Sequence, residues 1–213
     1  MGFAAARDAV TEGPEMFNDR SSLATFFATR RSGKPRDMVA PGPDEAQLGR
    51  ILSAALRVPD HGKLAPWRFV IVAPGQRDAL AALLQRAYRE TRPEPNRKEL
   101  ASIEEFARQA PALVVAVSCP DPSSAIPLWE QELSAGAACM NLLAAAHAEG
   151  FVGGWLTGWA AYSDTVRAAF APEGRPEARI AGFLFLGSPG RELQERPRPE
   201  YADVVSDWTP PAA

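Results

Sequence analysis

RVPDHGKLAPWRFVIV, residues Arg57 to Val72, carries the chain from the end of a helix through a polar turn into a buried strand. Just upstream, Asp44 with Gln47 three residues on has the pattern of a capping box, and Leu48, Ile51, Leu52, Ala55 and Leu56 repeat at helical spacing. Downstream, Phe69 to Ala73 is apolar and β-branched, which predicts a strand. Between them Pro59, Gly62 and Pro66 shape a turn that gathers Arg57, Asp60, His61 and Lys63. Polar groups on a loop between a helix and a core strand are a common setting for a binding site.

The alternation continues outward. Apolar periodicity predicts helices over Arg77 to Glu90 and Lys98 to Gln109, joined by the polar loop Thr91 to Lys98, then a strand covered on both faces at Ala112 to Ser118. Leu128 to Glu149 reads as the longest helix, ended by Gly150; at about 1.5 Å per residue it spans roughly 33 Å. Its middle, LSAGAACMNLLAAA, is small or apolar on every side, which predicts burial all round, in the protein centre or against a second copy. Phe151 to Leu156 is a short glycine and aromatic stretch, Ser163 caps a short helix to Phe170, and Arg179 to Leu186 is the last strand. Helices outnumber strands and some connections are too short for crossovers, so the expected class is α+β, a mixed β-sheet between helical layers.

Residues 1–20 lack a period and read as an N-terminal extension, 21–190 as one domain, and 191–213 as a proline-rich, charged tail packed on the domain or on a partner subunit. In the 213 residues no apolar run reaches the roughly 18 to 20 needed to cross a bilayer, and MGFAAARDAV is too short in apolar residues for a signal peptide or anchor. Charge is nearly balanced, 23 basic against 26 acidic residues, so neither nucleic acid nor a membrane is an expected partner. Cys119 and Cys139 fit neither a metal spacing nor a disulfide framework, and only His61 and His147 could add imidazole ligands. No metal is expected, and a reducing cytoplasm is the simple location.

A second cluster, RRSGK at Arg30 to Lys34, follows an apolar stripe of Leu23, Phe26 and Phe27 that predicts a helix capped by Ser21 or Ser22. Two guanidiniums, a hydroxyl and an ammonium within five residues suit a phosphate. The same residues also suit a plain helix end, where cations offset the macrodipole. Taken in order, RRS, RVPDHGKLAPWRF, PLWEQELSAGAACMNLLAAA, GFVGGWLTG and AGFLFLGSP resemble the FMN-dependent nitroreductases, and within them a short branch from enteric bacteria.

That resemblance implies the nitroreductase-like fold and a homodimer with a long central helix and two FMN sites at the subunit interface. By position, Arg30 and Ser32 match the phosphate-holding residues, with Arg31 in the same loop. Lys34 matches a basic position facing the flavin pyrimidine edge in many relatives, although the short branch has it one place later. Arg57 and His61 match positions that reach the FMN of the other subunit, and Trp155, Leu156 and Thr157 match the stretch along the ring or ribityl chain. Relatives often set a basic tail residue against the phosphate, a place that Arg196 or Arg198 could take here.

The implied reaction is hydride transfer from NAD(P)H to FMN, then reduction of a nitroaromatic, quinone or similar small-molecule acceptor, in ping-pong fashion. The cofactor carries that chemistry, so no catalytic side chain is assigned. Alternatives on the same scaffold are a specialised flavin reaction, dehalogenation or flavin fragmentation, and a flavin-binding dimer with little turnover. Several prominent residues have plainer readings. Trp67 reads as a core anchor; Trp129, Glu130 and Glu132 read as capping, dipole or packing residues; and His147 reads as a favourable partner of a helix C-terminus.

Overall fold

The computed structural model describes residues 16–211. In chain order its elements are α1 (Leu23–Thr29), β1 (Met38–Val39), α2 (Glu45–Ala55), β2 (Trp67–Ile71), α3 (Arg77–Thr91), α4 (Arg97–Arg108), β3 (Ala112–Ser118), α5 (Leu128–Ala148), β4 (Val152–Leu156), α6 (Trp159–Tyr162), α7 (Asp164–Phe170), β5 (Arg179–Pro189) and α8 (Tyr201–Val204). Ser32–Glu192 forms one compact unit; the described residues up to Arg31 and from Leu193 onward form another. The division falls inside RRSGK.

In the larger unit β5 is the common neighbour: β3, β4 and β1 all pair with it, and β2 pairs with β3. Every one of these pairings is antiparallel, so the described sheet is antiparallel and not mixed. Connectivity explains the difference. A single crossover helix returns a chain parallel to its start, but β2 reaches β3 through two helices, α3 and α4, which bring it back reversed.

The sheet does lie between helical layers. On β5, Leu184 and Leu186 pack with Ile51 and Ala55 of α2 and with Cys139, Leu142, Leu143 and Ala146 of α5. The alternate residues Phe183 and Phe185 meet the ring of Phe106 on α4 edge-on, at 5.2 and 5.5 Å. Trp67 is buried against Ala135 and Ala138, as a core anchor should be.

Helix α2 starts on the expected capping box: Gln47 N donates to Asp44 Oδ1 at 2.7 Å, and Asp44 N donates to Gln47 Oε1 at 3.0 Å. Helix α5 runs 21 residues but is buried on one face only. Trp129 and Leu133 are 66% and 53% exposed, and open space surrounds Gly136, so burial all round does not hold within one chain. Its C-terminus closes as a Schellman turn: Gly150, at φ 94°, donates to His147 O, and Phe151 N donates to Ala146 O, each at 2.9 Å. Arg50 of α2 grips the adjoining Glu149 with two hydrogen bonds of 2.8 Å. Among the described residues no helix is long and apolar enough to cross a membrane.

In the smaller unit Ser22 caps α1 through Thr25 N at 3.0 Å. Of the expected apolar stripe only Phe26 is buried, while Leu23 and Phe27 are exposed. The tail adds the single helical turn α8, and its Trp208 is exposed.

Candidate functional site

The smaller unit gathers cations. Arg30 is the C-cap of α1, and Asn18 holds the next peptide from both sides: Arg31 N donates to Asn18 Oδ1 at 2.8 Å, and Asn18 Nδ2 donates to Arg31 O at 3.1 Å. The Arg31 side chain turns to the tail, where Nε donates to Gln194 O at 2.7 Å and lies 3.9 Å from Glu195. Arg198 donates to Glu195 Oε1 at 3.0 Å. The Arg30 guanidinium is half-buried, and its pKa is pushed down first by that burial and then by Arg198, Arg196 and Arg31. An arginine stays charged through such a shift, so these like charges favour an anion among them. Glu195 is held below the usual carboxylate range, first by the hydrogen bond from Arg196 N and then by Arg198 and Arg31.

In the larger unit the segment Ser32 to Pro35 lies along β4. Gly33 N donates to Gly153 O at 3.0 Å. A Cβ on Gly154 would stand 2.7 Å from Gly33 O and 3.0 Å from the Pro35 ring, and one on Gly153 would stand 2.6 Å from Leu143. The glycine pair therefore lets this segment sit on one part of β4 and α5 on another. Ser32 is half-buried and Lys34 exposed. At the end of β4 the Trp155 indole lies over Gly182, where a Cβ would meet it at 2.0 Å, and its Nε1 donates to Ala181 O at 2.9 Å. The indole remains 37% exposed, Leu156 is half-buried, and Thr157 is open beside Gly158, whose missing Cβ would meet nothing within 4 Å.

Arg57 and His61 belong to a third group. Their loop is fastened to α5: Asn141 Nδ2 donates to Ala54 O at 2.5 Å and to Arg57 O at 3.3 Å, and Ser134 Oγ donates to Pro59 O at 2.6 Å. His61 Nδ1 lies 2.7 Å from Glu130 Oε2. Glu130, read from sequence as a helix-start residue, is therefore also a histidine partner. Asp60 organises the turn by accepting from Leu64 N and Ala65 N, while Gly62, Lys63 and Ala65 take positive φ. The exposed Arg57 and His61 side chains thus flank α5, to which their loop is tied through His61, Pro59 and Arg57.

Three contributors escaped the sequence reading. Asn18 falls in a stretch without periodicity, and the tail residue Gln194 acts through its backbone oxygen. His147 stands in the last turn of α5 as read, but its burial, at 1% exposure, and the hydrogen bond that its Nε2 accepts from Gly153 N at 3.1 Å went unread.

The larger unit is a sheet flanked by helical layers, and comparison with known proteins fixes its class. Residues 28–188 match the nitroreductase family model, and the chain belongs to that family. It is 37% identical over 173 residues to a Haemophilus influenzae protein provisionally named NAD(P)H nitroreductase, covering 81% of this chain and 90% of that one. Among solved structures, a nitroreductase-like family protein from Bacillus cereus superposes with a TM-score of 0.73 at 19% identity, over 88% of this chain and 96% of that one. A Bacteroides fragilis nitroreductase with bound FMN superposes at 0.62 with 21% identity, over 87% and 98%. At these identities the structures speak to the fold.

Proposed function

We propose that this chain is an FMN-dependent oxidoreductase that uses NAD(P)H to reduce nitroaromatic, quinone or similar acceptors, and that it works as a homodimer. The observation that carries the reading is the arginine cluster at Arg30 in a nitroreductase-family chain. Arg30, Arg31, Arg196 and Arg198 gather there around the carboxylate of Glu195, a cation cluster of a kind suited to the terminal phosphate of FMN. The relative's NAD(P)H name and the FMN in the B. fragilis structure support donor and cofactor.

In this reading Arg30, Arg31, Ser32 and Arg198 hold the phosphate, and Lys34 sets a cation at the pyrimidine edge, where it offsets negative charge on the reduced ring. Trp155, Leu156 and Thr157 line the ring or ribityl chain, with the open Gly158 leaving room for a planar group. FMN, when bound, would supply the hydride chemistry between a nicotinamide donor and the acceptor. The protein binds and orients, and no side chain is assigned a proton-transfer step. The exposed apolar face of α5 supports the dimer, in which Arg57 and His61 serve the site of the other copy.

Absorbance of the purified protein, before and after anaerobic NADPH or NADH, tests cofactor, reducibility and donor together. Flavin absorbance that bleaches with a nicotinamide and returns with a quinone is the expected result. A colourless protein that takes up no FMN from solution would overturn the reading.

A further inference from the structure

His147 sits where α5 hands over to β4. In an antiparallel pair, successive residues point their backbone groups alternately at and away from the partner strand. Gly153 is of the second kind: its N–H goes to His147 Nε2 at 3.1 Å, and its C=O accepts from Gly33 N at 3.0 Å. Leu143 and His147 are one turn apart on α5. Leu143 packs where a Gly153 Cβ would be, which brings the helix close enough for the imidazole to reach the strand edge. The Schellman turn at Gly150 folds the chain back so that this contact closes within seven residues.

We infer that His147 is a positioning residue for the Ser32 to Pro35 segment, acting through Gly153. Glycine has the least backbone restraint of any residue, so its hydrogen bonds must fix its orientation. With His147 on the N–H side, the Gly153 carbonyl stays aimed at Gly33, and Ser32 and Lys34 flank that point. To accept from an N–H, Nε2 must carry no proton, so the imidazole is neutral with its proton on Nδ1. Any effect on cofactor affinity rests on the function proposed above; the positioning role does not.

The test compares His147→Leu with His147→Gln, whose Oε1 can replace the acceptor, by amide hydrogen exchange on the full chain without added flavin. In His147→Leu, exchange at Gly153 and Gly33 should speed up by about tenfold, the value of one lost hydrogen bond, while Val115 and Phe183 in the central ladder stay protected. His147→Gln should keep both glycines protected. A folded His147→Leu with unchanged Gly33 exchange would overturn the inference, and so would loss of protection in His147→Gln. If His147→Leu does not fold, nitrogen NMR of the wild-type imidazole decides together with His147→Gln: a bare Nε2 supports the role, and a protonated Nε2 at neutral pH refutes it. FMN titration forms the second arm, with about tenfold weaker binding expected in His147→Leu only. A wild-type protein that binds no FMN would remove the proposed function and leave the exchange result standing.

Discussion

Arg30 and Cys139 illustrate how burial acts on single residues. The Arg30 guanidinium is half-buried, and burial together with Arg198, Arg196 and Arg31 pushes its pKa down, a setting in which a phosphate would be favoured. Arg30→Ala should therefore weaken FMN binding by on the order of 2 to 3 kcal/mol, the scale of a charge-assisted hydrogen bond, as read by flavin fluorescence titration. Unchanged affinity would make Arg30 a helix end and nothing more. Cys139, at 1% exposure in the α2–α5 core, has its thiol pushed up to about 12 by burial. It should resist alkylation in the folded protein at neutral pH and react only on unfolding, which mass spectrometry after iodoacetamide treatment would show. At this scale sequence was an uneven guide. RRSGK announced a cation cluster because its residue types are local, but the turning of Arg31 toward Gln194 depends on a segment distant in the chain.

Elements whose signals are local were legible. The Asp44 and Gln47 box, the Ser163 cap and the apolar run Ala112 to Ser118 all stand where residue type and spacing put them. What sequence could not show was pairing. Strand β1 is two residues long, too short for a period, and exists because Met38 and Val39 meet Pro189 and Ser188. The apolarity of α5 predicted a buried helix, yet one chain covers only one side of it. Its C-terminal end also makes a pH prediction. Glu149 is held below the usual carboxylate range, first by its hydrogen bond from Arg50. A depressed carboxylate contributes stability above its unfolded pKa and loses it as the pH falls through the folded value. Urea midpoints of wild type and Arg50→Ala should therefore differ at neutral pH and converge in acid. The difference should be small, since both partners are on the surface. A gap that widens on acidification would contradict the pairing.

For the whole molecule the decisive question is what covers Trp129, Leu133 and the open side of Gly136. The proposed answer is a second copy. Sedimentation should find the wild type as a dimer and Leu133→Asp shifted toward monomer, with loss of FMN if Arg57 and His61 serve the neighbouring site. A wild-type monomer that retains FMN would separate the cofactor reading from the dimer.

The position of β5 bears on how this protein comes to be made. The strand to which β1, β3 and β4 all bond is the last of the described strands to leave the ribosome, and Met38 waits for Pro189. Until Arg179 and its successors emerge, β2 and β3 can pair only with each other, and one side of the Leu113 to Val117 run faces solvent as a sticky edge. Such late, long-range closure slows folding and exposes nascent chains to aggregation. The α3 and α4 hairpin, already synthesised by then, carries the Phe106 ring that will later meet Phe183 and Phe185, so one wall of the core stands ready before its central strand arrives.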